Sequence, residues 1–127
     1  MIKKIISDKI SKGEKQWCVL IDPDKIILEE ISELITLTNN SSCDFILVGG
    51  SLINHRMFDD FLKKIKTLSS KPVLIFPGDN QQISNFADGI FLLSLISGRN
   101  PELLIGQHVK SAFKIKASNL EILPCGY

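Results

Sequence analysis

One repeating alternation limits what this chain can fold into: a short apolar run, halted by proline, glycine or aspartate, then a stretch with apolar residues at helical spacing. Cys18-Val-Leu-Ile21 stops at Asp22-Pro23, where proline lacks a ladder donor and pushes the preceding residue out of the helical region. Residues 27–38 then place Ile27, Ile31, Leu34, Ile35 and Thr38 on one face and Glu29, Glu30 and Glu33 away from it, an amphipathic helix. Phe45-Ile-Leu-Val48 is halted by Gly49-Gly50-Ser51, and Phe58, Phe61, Leu62, Ile65 and Leu68 follow on one helical face. Pro72-Val-Leu-Ile-Phe76 ends at Pro77-Gly78-Asp79-Asn80, with a short helical piece expected near residues 82–86. The run from Gly89 to Ile96 stops at Ser97-Gly98. Asn100 as N-cap, Pro101 and Glu102 then open a helix through Leu104, Ile105, His108, Val109 and Ala112. A fifth apolar run begins at Glu121, and Ile2, Ile5, Ile6 and Ile10 predict a leading helix ended at Gly13.

Strands apolar along their whole length, alternating with helices, form parallel sheets covered by helices. The repeat of roughly 27 residues is what βα units give. Two α/β architectures compete: an open doubly wound sheet, or part of a (βα)8 TIM barrel, which needs about 250 residues. No G-x-G-x-x-G or G-x-x-x-x-G-K follows any strand. Polar, glycine and proline residues instead stand at the end of each strand in turn, which suits a barrel whose active face is assembled from all its βα loops.

Composition narrows the class. With 127 residues, 44% hydrophobic and 23% charged, the chain reads as one globular domain, residues 1–127. A net charge of +1 leaves no footprint for a nucleic-acid partner or an anionic membrane surface. Cys18, Cys43 and Cys125 form neither a zinc pattern nor a disulfide framework, so a cytoplasmic setting is expected. Asp8 and Lys9 interrupt the first apolar stretch, which argues against a signal peptide. No apolar run approaches the roughly 20 residues of a membrane span.

Several strand ends carry chemistry-bearing side chains, each with a plain structural reading beside the functional one. Asp22, just past a parallel strand, suits a hard divalent cation through oxygen, and equally suits a purely structural role. Asp24 reads better as a helix cap before Lys25. Gly49 and Gly50 let backbone approach a ligand and Ser51 offers a hydroxyl, although a simple strand-to-helix turn also takes glycines. Phe76, Pro77 and Gly78 lie at one strand end and Arg99 at a neighbouring one. Arg99 precedes a helix N-terminus where anions gather, yet alone it reads as a solvated side chain. His108, on a helix face beside Val109, fits a hydrogen-bonded packing role, and His55 a solvated loop.

Taken in order, Leu20-Ile-Asp-Pro-Asp-Lys25, Ile46-Leu-Val-Gly-Gly-Ser51, Pro72-Val-Leu-Ile-Phe-Pro-Gly78, Ser94-Leu-Ile-Ser-Gly-Arg-Asn-Pro101 and Glu121-Ile-Leu-Pro-Cys-Gly-Tyr127 resemble the geranylgeranylglyceryl phosphate synthase family. Leu104-Ile-Gly-Gln-His-Val109 fits as well. The resemblance runs from about residue 16 to Tyr127. It implies a (βα)8 barrel and a Mg²⁺-dependent prenyltransferase of ether-lipid synthesis. Such an enzyme moves geranylgeranyl from its diphosphate to the 3-hydroxyl of sn-glycerol 1-phosphate. By position, Asp22 and Ser51 match the magnesium ligands, and Lys25, Gly49, Gly50, Phe76, Pro77, Gly78, Arg99 and Tyr127 fall where substrates bind.

The family's later strands, with a Tyr-Leu-Glu signature and glycine turns, have no match here. The chain therefore resembles the amino-terminal half of the enzyme, about four βα units and the start of strand five. It is expected to be inactive alone, with the acceptor site missing, and to form homo-oligomers through unpaired strand edges. The alternative is a non-catalytic module that binds prenyl diphosphate or phosphate. A flavodoxin-like open sheet ranks third, and a sequential strand order would exclude it.

Overall fold

A computed structural model describes residues 1–50 and 55–127. It contains one sheet of five parallel strands in the order β1-β2-β3-β4-β5: β1 Cys18–Ile21, β2 Phe45–Val48, β3 Val73–Ile75, β4 Gly89–Ser94 and β5 Glu121–Gly126. Every neighbouring pair is parallel. This consecutive order is that of a barrel arc, and it excludes the flavodoxin-like sheet, whose first strands are interchanged.

Register decides which side chains share a face. Leu20 pairs with Leu47, Leu47 with Leu74, Leu74 with Gly89 and Gly89 with Glu121. Side chains alternate along a strand, so Cys18, Leu20, Phe45, Leu47, Leu74, Phe91, Leu93, Leu123 and Cys125 share one face. Ile21, Ile46, Val48, Val73, Ile75 and Ile90 occupy the other, all buried. That second face packs against α2 (Ile31–Asn39), α3 (His55–Leu68) and α4 (Gln107–Ala117). Ile31 and Ile35 of α2, Phe58, Phe61, Leu62 and Ile65 of α3, and Ile115 of α4 complete this cluster.

The first face is covered at its amino-terminal end by α1 (Ile2–Ser11), whose Ile2 packs with Phe45, Leu47, Leu74 and Leu123. Glu121 of β5 accepts from the free N–H groups of Ile2 and Lys3 at 2.5 and 3.0 Å, standing at the helix N-terminus where a carboxylate is favoured. At the other end Lys9 pairs with Asp44, whose second oxygen accepts from the Trp17 N–H at 2.9 Å. Gly13, at φ +69, ends the helix in the left-handed conformation that glycine adopts freely.

Three expectations need correction. The helix foreseen over residues 27–38 starts at Ile31, because turns closed by Lys25 N–H on Asp22 C=O and Glu30 N–H on Ile27 C=O occupy the preceding segment. Asp24 therefore caps no helix. Its own N–H donates to Asp22 Oδ1 at 3.1 Å, so Asp22 is the turn-forming carboxylate. No helix forms at residues 82–86 either: Asp79 Oδ1 accepts from Gln81 N–H at 2.8 Å and Gln82 N–H at 3.2 Å, and the backbone runs on in turns to β4.

The start signal at Asn100 and Pro101 holds, with Asn100 Oδ1 accepting from Glu102 N–H at 3.1 Å. Beyond it Glu102–Gly106 winds as a π-helix into α4. Glu102 folds over Gly106, where a Cβ would collide with its carboxylate, and pairs with Lys110. No helix among the described residues is long and apolar enough to cross a membrane.

Candidate functional site

The carboxyl ends of β1, β2 and β3 bring Asp22, the Gly49-Gly50 pair and the Phe76-Pro77-Gly78 segment together. Gly49 N–H donates to Ile21 C=O and Phe76 N–H to Val48 C=O, at 3.1 and 2.9 Å, so each strand's exit is fastened to its neighbour. Asp22 leaves β1 with its side chain only 21% exposed. The Lys25 ammonium stands 3.4 Å from Asp22 Oδ2, and Lys25 is otherwise open to solvent. One carboxylate oxygen therefore serves the local turn, and the other faces an exposed ammonium on the solvent side.

Both glycines are required by close approach. A Cβ on Gly49 would run into the carbonyl of Phe76, and one on Gly50 would lie 2.5 Å from Asp22 Oδ1. The backbone of Gly50 thus lies directly against the Asp22 carboxylate. The two-glycine signal meant contact with neighbouring groups, a stronger demand than an ordinary turn makes. Ser51, proposed as a second metal ligand, lies outside the described residues.

Sequence reasoning passed over Gln82, although it joins these loops. It is fully buried, at 0% exposure. Its Oε1 accepts from Gly78 N–H at 3.0 Å and Gly50 N–H at 3.4 Å, and its Nε2 donates to Gly50 C=O at 2.7 Å. Leaving such a buried amide without partners would cost about 1–3 kcal/mol. A glutamine between two turns carries no periodic signal, and polar loop residues ordinarily face water. The one available clue was its place four residues after Gly78.

Along the sheet, Phe76 and Phe91 meet edge to face, with centroids 5.8 Å apart and planes at 75°, an arrangement favoured by the ring quadrupoles. Beside them a cavity of about 60 Å³ lies between the β3 and β4 ends and α4. Pro77, Gly78, Leu93, His108 and Tyr127 are among its lining residues. His108 Nε2 lies 2.6 Å from Leu93 C=O, so the packing role expected of His108 is what the structure shows. Tyr127 is fastened by its backbone: its N–H donates to Ser94 C=O, and its C=O accepts from Ile96 and Ser97 N–H. Gln107 ties the β3 loop to α4, accepting from Asn80 N–H at 2.9 Å and donating to Glu102 at 2.7 Å. Arg99 is exposed beyond β4, just before the Asn100 cap.

Shifted titrations are found on α1 and about the amino-terminal ends of β1, β2 and β5. Backbone donors at Ile2 and Lys3 hold Glu121 below the ordinary carboxylate range. Lys9 does the same to Asp44, and Asp44 raises Lys9 in return. Burial pushes the Cys18 thiol up, which suppresses the reactive thiolate. No group of three or more His, Cys, Asp or Glu side chains that could hold a metal stands together among the described residues.

Known proteins are similar to this chain in sequence and in fold. Residues 9–127 match the PcrB family. The geranylgeranylglyceryl phosphate synthase of Chitinophaga pinensis is 47% identical over 120 residues, covering 94% of this chain and 48% of that protein. The synthase of Pyrococcus abyssi is 38% identical over 127 residues, covering 99% of this chain and 50% of its own length. The crystal structure of (S)-3-O-geranylgeranylglyceryl phosphate synthase from Thermoplasma acidophilum, in complex with sn-glycerol-1-phosphate, superposes with a TM-score of 0.82 at 35% identity. That match covers 89% of this chain and 46% of the other. The chain spans about half the length of these relatives. The match across the strand-end segments, and the shared parallel arrangement that carries them, place this chain in the PcrB family together with the geranylgeranylglyceryl phosphate synthases.

Proposed function

We propose that residues 1–127 form the amino-terminal part of a TIM-barrel prenyltransferase and supply its diphosphate end. The reaction is transfer of geranylgeranyl from its diphosphate to the 3-hydroxyl of sn-glycerol 1-phosphate. The observation that carries this reading is the Asp22 carboxylate at the end of β1, walled by the Gly50 backbone. Family membership and the glycerol-phosphate complex of the Thermoplasma acidophilum relative support the substrate class. The acceptor would be held largely by parts of a complete barrel beyond strand five, so the chain alone is read as inactive.

The residues present fit Mg²⁺. This ion takes one or two carboxylates and fills its other positions with water and substrate phosphate. Asp22 is one such carboxylate, and the Gly50 approach leaves room for backbone where a side chain would intrude. Asp22 would hold the ion, with Ser51 as a second oxygen ligand. Bound there, it supplies positive charge that offsets the negative charge on departing diphosphate.

The chain's own groups do the rest of the positioning. Lys25, already drawn to Asp22, can turn to a phosphate oxygen, since its ammonium is a flexible point charge. Phe76, Phe91 and Leu93, on the first face, offer an apolar wall to the prenyl tail. The tail would run along this apolar surface. As the allylic C–O bond to diphosphate breaks, a new C–O bond forms to the acceptor hydroxyl, and its proton passes to the departing diphosphate or to water.

Calorimetry with inorganic diphosphate, with and without MgCl₂, tests the reading. Binding is expected only with magnesium, and Asp22→Asn should weaken it roughly 30-fold, the weight of about 2 kcal/mol for a charged contact. Asn preserves the acceptor for Asp24 N–H, so the melting temperature should hold. Equal binding by Asp22→Asn and the wild type would remove Asp22 from the site.

A further inference from the structure

We infer that Gln82 is a positioning residue for the diphosphate site, setting the Gly50 wall against which Asp22 works. The inference rests on the reading of Asp22 just given. One amide grips Gly50 from both sides, accepting from its N–H and donating to its C=O, while the same oxygen accepts from Gly78 N–H. This fixes the peptide planes on either side of Gly50, and with them the spacing between Gly50 and the Asp22 carboxylate. It also clamps the β3 exit, where the Phe76 carbonyl lies against Gly49. Asp79 holds Gln82 in turn, through its own acceptance from the Gln82 N–H at 3.2 Å.

An apolar side chain could fill the same buried volume. It could not hold two strand-end loops in one relation to a carboxylate contributed by a third strand. Glutamine is the residue that matches a donor and an acceptor to one backbone unit, much as a neighbouring strand would. Groups that orient a metal ligand from behind typically alter metal affinity by about 10–100-fold when removed.

Two variants separate positioning from mere filling. Gln82→Met keeps the bulk and loses every side-chain hydrogen bond. Gln82→Glu keeps the acceptor and sets a carboxylate against the Gly50 carbonyl. Each is compared with the wild type by calorimetry with inorganic diphosphate and MgCl₂, and by amide exchange at Gly50 and Gly78, with Ile46 and Leu74 of the sheet as the folding control. The expected result is affinity lower by about tenfold or more in both variants, faster exchange at the two glycines in Gln82→Met, which loses their acceptor, and unchanged exchange in the sheet. If Gln82→Met does not fold, Gln82→Glu carries the test.

Unchanged affinity with loosened glycines would overturn the inference, leaving Gln82 a structural tie. Unchanged exchange at Gly50 and Gly78 in a folded Gln82→Met, or unchanged affinity in Gln82→Glu, would overturn it as well. A wild-type chain that takes up no diphosphate with magnesium marks a different failure. That result sinks the functional reading itself, and the role of Gln82 within it, however the glycines respond.

Discussion

At Gly50 the space a side chain would occupy is taken by a carboxylate, and at Gly49 by a carbonyl. These neighbours predict different outcomes for the same substitution. In Gly50→Ala the obstacle is the end of the Asp22 side chain, which can rotate away. The fold should survive while Mg²⁺-dependent diphosphate binding weakens by about tenfold or more, read by calorimetry beside a thermal melt. In Gly49→Ala the obstacle is backbone, so overpacking should cost about 1–3 kcal/mol of stability, read as a lower denaturation midpoint. Equal melting of the two variants would contradict this contrast. The sequence made both glycines and Asp22 visible because they punctuate apolar strands. It hid Gln82, whose importance comes from partners 4 and 32 positions away. It also misassigned Asp24: a carboxylate before Lys25 looks like a cap until one sees that the helix begins at Ile31.

The strands were legible because each is an unbroken apolar run with a proline, glycine or acidic stop; Cys18–Ile21 and Phe45–Val48 fall where those runs predicted. The segment between β3 and β4 was not, because Asp79 and the buried Gln82 draw the backbone into turns that a short apolar pattern cannot reveal. Helix α1 was foreseen as a helix, but its docking across the sheet depends on two polar anchors far away in sequence. Glu121 is held below its ordinary value of 4.5. Its contribution is complete above that value and is lost as pH falls through the lower folded one. Asp44 behaves alike from its ordinary 3.8. Lys9 is raised from 10.5, so its share is present below that value and lost as pH rises through the higher folded one. Docking of α1 should therefore be firmest between about pH 5 and 10, with the Ile2 and Ile6 methyl resonances shifting beyond either limit. Glu121→Gln should reduce the acid limb to the share of Asp44 and leave the alkaline limb unchanged. An unchanged acid limb in that variant would assign the transition elsewhere.

For the whole molecule, consecutive strand order has a cost at the margins: β1 and β5 form the two edges of the sheet. An edge of unpaired N–H and C=O groups pairs readily with another chain. Beside the β1 edge, Leu20 is 54% exposed on the face that a barrel would enclose, and Trp17 is half exposed just before the strand. Along the π-helix and α4, Ile105, Val109 and Phe113 fall at successive four-residue steps and are all exposed, Phe113 at 86%. Apolar groups on two sides of the sheet, together with two open edges, favour association over a lone monomer. The 127-residue chain should therefore show a mass in light scattering that rises with concentration. If the edges and first face are the cause, supplying a second polypeptide with the carboxy-terminal half of the Chitinophaga pinensis synthase should replace self-association by a one-to-one complex. That complex would also be the form in which to look for turnover. If the apolar stripe on α4 is the cause, Phe113→Lys should suppress self-association while the added half changes nothing. A concentration-independent monomer that ignores the added half would show that the chain buries its margins unaided.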